Sequence, residues 1–485
     1  MIFNIFTRYL SKILKKHIKM KKTLSILILS FLIISNFSFA QNGNIDDEML
    51  QRIRSDYSEK ADQDKGIRNA VSNNDIKDLA LNRDLAGKSE HNFKYKVDVK
   101  GITDQESSGR CWMFTGLNSL RPEIINSQDL SSFEFSTNYL YFWDLFEKSN
   151  LFLEAVMDNY KKDFDDKTIE WLFKNPVGDG GVWNSFANIV TKYGVVPKSV
   201  MPETHHSENT AWLNRLLKRK LREDGLKLYN LKKMKAPTQQ IETEKYNMML
   251  DIYRMLVLFL GEPPVNFDYR FVNSSGEIGE YKEYTPQSFF KEFYPDFSID
   301  NYVMLMNDPT REYYKVYEIQ YDRNVLEGKN WVYLNLPSDE IKVFALESIK
   351  NNEAMYASCD VGKQLSKDDG TLDVDNYDFE ALLGTDFGMT KADRIKTYDS
   401  GSSHAMLLMA VDTDKEDKPY KWQFENSWGS SYGHNGYLTF TDEWFDEYMF
   451  RVVINKKYIN QETLDLLGKK TIILPPWDPM FRQDF

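Results

Sequence analysis

Helical and strand-like patterns occupy different halves of this chain, and that segregation constrains its fold more than any other feature. Between about residues 110 and 255 apolar residues recur at helical spacing: Trp112, Met113, Phe114, Leu117 and Leu120, then a pattern over 189–193, then Leu213, Leu216, Leu217, Leu221 and Leu226. After Leu260-Gly261-Glu262-Pro263-Pro264 the texture turns aromatic and strand-like, then helical again over 341–350. From Ala354 onward short strand-like runs dominate, at 406–411, 421–424, 436–439 and 451–454. Helices followed by strands specify an α+β fold. With 485 residues, 42% of them hydrophobic, the chain has apolar material for more than one core, which excludes collagen-like, disordered and disulfide-scaffold classes.

Residues 1–40 stand apart. Lys21-Lys22 precede an apolar run of 11 residues, 24–34, that ends near Ser38-Phe39-Ala40. That is the layout of a secretory signal peptide cleaved near Ala40, and the run is short of the about 20 residues a membrane span needs. The expectation is a periplasmic or secreted protein with no stable membrane insertion after cleavage. The alternatives are an uncleaved tether or a start at Met20. Residues 41–95, polar and charged with short helical stretches, read as an N-terminal arm. The formal charge is −12, and the leader holds seven basic side chains and no acidic one, so its removal makes the surface more acidic still. Such a surface repels nucleic acid and anionic membranes.

Most chemical signatures are missing: there is no HExxH, CxxC pair, Walker loop or GxGxxG after a strand, and the six histidines show no metal-ligand spacing. No metal or cofactor is expected. Cys111 is the exception. It follows the polar, turn-rich loop 103–110 and opens an apolar helix, with Ser107 or Ser108 placed to cap it. A thiol in a first helical turn meets unpaired N–H groups, which favour the thiolate and depress its pKa. Gln105 lies where its amide could join the Cys111 N–H as a pair of oxyanion donors. His404, in Gly401-Ser402-Ser403-His404, is placed at the mouth of an apolar strand as a base, and Asn426, in Asn426-Ser427-Trp428-Gly429, could orient its ring. Singly, a packed cysteine and a core histidine explain two of these residues as well.

The ordered set Gln, Cys, His, Asn-Ser-Trp-Gly resembles the papain-like cysteine peptidases. Cys111 and His404 lie 293 positions apart, against about 130–150 in papain-type enzymes, and the charged helical span from His205 supplies the insertion. Ser107-Ser108-Gly109-Arg110-Cys111-Trp112, Asp179-Gly180-Gly181, Cys359-Asp360-Val361-Gly362-Lys363 and Leu474-Pro475-Pro476-Trp477-Asp478-Pro479-Met480 are similar, in order, to segments of the bleomycin hydrolase and aminopeptidase C branch. The resemblance implies a two-lobed papain-like fold: helical lobe over 96–204, mainly helical insertion over 205–350, β lobe over 351–470 and a C-terminal arm over 471–485 in the active-site cleft.

The same resemblance implies that Cys111 is the nucleophile, His404 the general acid/base, Asn426 its orienter and Gln105 an oxyanion donor. Gly180 and Gly181 would line an extended peptide, and Cys359 would be a packed free thiol. It also implies peptide substrates, a homohexamer, and aminopeptidase action in which the chain-terminal carboxylate, here on Phe485, meets the substrate's free amine. The tail Phe481-Arg482-Gln483-Asp484-Phe485 departs from the family's small residues, so an endopeptidase is the alternative, with an inactive peptide-binding protein of the same fold beside it.

Overall fold

The computed structural model describes residues 43–481 apart from 86, 87 and 89; the leader and Phe485 lie outside them. The chain divides into two compact units, Met1–Leu79 and Ala80–Phe485. In the first, the helices Asp47–Ser58 and Lys65–Asn73 contain no buried residue. Met49, Ile53 and Tyr57, one turn apart, are all exposed. A stretch this rich in charge makes helices but no core of its own. The arm ends before residue 95, because in the second unit Leu81 bridges Tyr377 and the strand Tyr95–Lys96 pairs with Val411 and Ala410.

The first long helix of the second unit is α1 (Cys111–Ser127), buried on nearly every side. Gly116 makes that possible, since a Cβ there would sit 2.4 Å from the ring of Phe186, on α3 (Trp183–Tyr193). The helix α2 (Thr137–Asp158) starts at Ser136, whose Oγ accepts the N–H of Tyr139. Against α2 pack α4 (Ala211–Lys233) and α5 (Thr238–Leu260). Leu213, Leu217, Leu221 and Leu228 form the inner face of α4, while Leu216 and Leu226 lie on its exposed side, as a 3.6-residue period requires. Among the described residues no helix is long and apolar enough to cross a membrane.

Apart from a two-stranded hairpin of Phe267–Tyr269 with Lys282–Tyr284, most of the strands belong to one large sheet. Its main strands are β1 (Tyr302–Met306), β2 (Lys315–Ile319), β3 (Val332–Asn335), β4 (Met355–Cys359), β5 (His404–Thr413), β6 (Pro419–Glu425), β7 (Tyr437–Thr441), β8 (Met449–Asn455) and β9 (Ile472–Leu474). Their spatial order is β9-β2-β3-β1-β8-β4-β5-β6-β7. The segment 205–350 is therefore less helical than expected. Beyond Leu260 its long helix is α6 (Ser338–Lys350), and β1, β2 and β3 extend the sheet of the C-terminal strands, with Met306 opposite Arg451 on β8. The run Tyr302-Val303-Met304-Leu305-Met306 is short, apolar and without helical period, which suits a strand buried on both faces. The register His404↔Cys359 and Arg451↔Ser358 brings β5 and β8 to either side of β4.

Candidate active site

Cys111 is the first residue of α1 and partly exposed. Neither Ser107 nor Ser108 caps this helix. Arg110 occupies the cap position without a side-chain bond to the helix's N–H groups, and the Ser108 hydroxyl instead donates to the Gln105 carbonyl and accepts from Arg110 Nε. Arg110 is fully buried, paired with Glu203 at 2.8 Å and packed against Phe114 and Tyr141. A buried, paired guanidinium holds the loop where a serine cap was expected. The glycine loop is tied to the same place through Asp179. Its carboxylate accepts the Gly109 N–H (2.8 Å) and the Thr210 hydroxyl (2.5 Å), and its carbonyl accepts Trp112 Nε1–H (2.7 Å).

His404 is the first residue of β5, and its carbonyl accepts the Ser358 hydroxyl. Its Nε2 donates to Asn426 Oδ1 at 2.8 Å, and the Ser427 backbone N–H donates to the same oxygen at 2.8 Å. That second donor fixes the Asn426 amide with its oxygen toward the ring, so the neutral imidazole keeps its proton on Nε2 and leaves Nδ1 as a free base. Trp428 stacks on His404 at 4.6 Å between ring centres. Gln105 is locked to the same segment: its Oε1 accepts the Ser427 hydroxyl (2.7 Å) and its N–H donates to the Ser427 carbonyl (2.9 Å). Its Nε2 gives one proton to the Ser108 carbonyl, leaving the other N–H for a ligand.

Gln105, Cys111, Gly180, Gly181 and His404 line one cavity of about 340 Å³. The two glycines do different work. A Cβ on Gly180 would meet nothing within 4 Å, whereas one on Gly181 would lie 2.6 Å from the Trp112 ring. Gly180 therefore faces open space, and Gly181 is a packing requirement of the helix that begins at Cys111. Pro476 and Met480, from the C-terminal arm, form another part of the wall, held by the pairing of β9 with β2 and by an Asp478–Arg311 ion pair.

Burial pushes the Cys111 thiol up, against the Ala405 and Trp112 backbone N–H groups that favour its thiolate. Burial also lowers the His404 imidazole to about 4, opposed by the bond to Asn426. The expected lowering of the thiol pKa by the helix terminus is opposed by desolvation, the larger of the two influences. Burial thus works toward the neutral form of both groups, while the first-turn amides and the bond to Asn426 work toward their charged forms. Cys359, buried on β4, is likewise a free thiol raised by burial.

Among the cavity residues not singled out from the sequence are Tyr356, Asp322 and Arg451. Arg451 alone carried a signal, as the one charged residue in the run Met449-Phe450-Arg451-Val452-Val453-Ile454.

The Peptidase C1-like family matches residues 44–481. The chain belongs to that family. It is 39% identical over 393 residues to an aminopeptidase C of Lactobacillus delbrueckii subsp. lactis, covering 80% of this chain and 87% of the relative. It is 37% identical over 442 residues to human bleomycin hydrolase, covering 89% and 96%. The crystal structure of PepW from Lactobacillus rhamnosis superposes with a TM-score of 0.87 at 37% identity, over 91% of this chain and 99% of the other. The Peptidase C1-like fold accounts for the two-sided construction of the site, in which a helix presents a thiol and a sheet presents an imidazole with its amide partner.

Proposed function

We propose that this protein is a papain-type cysteine aminopeptidase that releases residues from the N-termini of peptides. The observation that carries the reading is the oriented imidazole: His404 Nε2 bonded to Asn426, in one cavity with the thiol at the start of α1. His404 Nδ1 takes the Cys111 proton as sulfur attacks the scissile carbonyl. The Cys111 N–H and the free N–H of Gln105 Nε2 receive the oxyanion. The leaving amine departs with the proton from His404, and water, deprotonated by the same imidazole, hydrolyses the thioester and restores the thiol. The relatives named aminopeptidase C, with Pro476 and Met480 lining the cavity, favour an exopeptidase over an endopeptidase.

A timed mass-spectrometric digest of a free-amine decapeptide beside its N-acetylated twin tests this, with Cys111→Ala as control. The reading expects a stepwise N-terminal ladder from the free peptide alone. Internal cuts in both peptides, or products that persist in Cys111→Ala, would overturn it.

Export rests on the basic, apolar, small-residue order of residues 1–40, and the N-terminal sequence of protein recovered outside the cytoplasm tests it, with Gln41 expected first. A homohexamer rests on the family resemblance, and sedimentation velocity tests it.

A further inference from the structure

Two aspartates line the catalytic cavity, and they are placed very differently. The carboxylate of Asp179 is taken up by Gly109 and Thr210. Asp322, just past β2, has its backbone fixed: its N–H donates to the Ile319 carbonyl, and its own carbonyl accepts the Trp331 N–H at 2.9 Å and Asn184 Nδ2 at 2.8 Å. Among the described residues its carboxylate has no hydrogen bond. Two cations, Lys148 and Arg451, lie near enough to favour its charged form, yet the bonds they make go to other groups. Lys148 pairs with Asp144 and donates to the Gly178 and Gly180 carbonyls, while Arg451 is bonded to the Ser402 hydroxyl and stacked 4.0 Å from the Trp331 ring. Neither forms an ion pair with Asp322. A rigidly held, half-buried carboxylate that opens onto the cavity without a protein donor is available to a ligand that brings one.

We propose that Asp322 receives the free α-ammonium of the peptide substrate. The inference rests on the aminopeptidase reading and adds to it an anion fixed in the scaffold, separate from any carboxylate at the chain end. Position and chemistry both support it. Asp322 borders the same cavity as Cys111 and Gly180, where an extended peptide would lie along the glycine loop. An ammonium brings the positive charge and three N–H donors that this carboxylate lacks. Holding that ammonium sets how many residues fit between the anchor and the sulfur, and so places the first peptide bond over Cys111.

The test compares kcat/KM for matched free-amine and N-acetylated peptides in the full chain, in Asp322→Asn, in Asp322→Glu and in a chain ended after Phe481. In Asp322→Asn the free-to-acetylated ratio is expected to fall about 10–100-fold, the size of one charged hydrogen bond, with partial recovery in Asp322→Glu. An unchanged ratio in Asp322→Asn beside a large wild-type ratio overturns the proposal, as does a preference lost only on shortening the tail. So does an effect confined to peptides with a basic first side chain and equal for both amine forms. A wild-type ratio near one overturns the aminopeptidase reading itself.

Discussion

Arg121 bonds both carboxylate oxygens of Glu425, at 2.7 and 2.8 Å, and both side chains are almost wholly buried. Arg121 lies on the helix that begins at Cys111, and Glu425 ends the strand that leads into Asn426. The pair thus fixes the thiol-bearing helix against the segment that orients the imidazole. Replacing Arg121 by Leu leaves a buried carboxylate unpaired, and the expected loss is about 3–5 kcal/mol of unfolding free energy. Chemical denaturation measures it, and a loss below about 1 kcal/mol would show the pair to be dispensable.

Gln105→Ala is expected to lower kcat by about 10²–10³ with little change in KM, since the lost donor acts on the oxyanion and not on the bound peptide. Ser427→Ala, which frees Gln105 Oε1, is expected to move kcat in the same direction by less. Steady-state kinetics on one peptide series decides both.

The pH profile of kcat/KM follows from the site's two shifts. His404 is lowered to about 4 by burial, so the neutral base persists as pH falls past 6.5, and the acidic limb is expected near pH 4. Burial raises Cys111, so the alkaline limb lies above the ordinary thiol range. An acidic limb at 6.5 would mean that the imidazole is far better solvated than its surroundings indicate.

The two loop glycines are expected to fail differently. Gly181→Ala forces a methyl into the Trp112 ring, for about 1–3 kcal/mol of lost stability, read from a thermal melt. Gly180→Ala meets open space, so its melt is unchanged and its effect falls on KM.

The chemistry was legible in the sequence because each residue sits in a short local context that defines it: a thiol at a loop-to-helix junction, an imidazole entering an apolar strand, an amide ending the next. The buried helix at Cys111 was legible from its apolar spacing. What remained hidden depends on contacts between distant segments. Met306 meets Arg451, and Asp322 meets the cavity, through strand pairings that no local pattern encodes. The upward push on the thiol was hidden for a related reason: the helix terminus is a local feature, but the burial that opposes it comes from the whole fold.

Ser427 ties the two halves of the site together. Its hydroxyl and carbonyl hold Gln105, and its N–H fixes Asn426. A slight parting of the loop before Cys111 from the strand end at Asn426 would strip away the oxyanion donor and the imidazole's support in one event. On the proposed mechanism the site is an interlock, since one parting would remove both supports of the thiol's chemistry together.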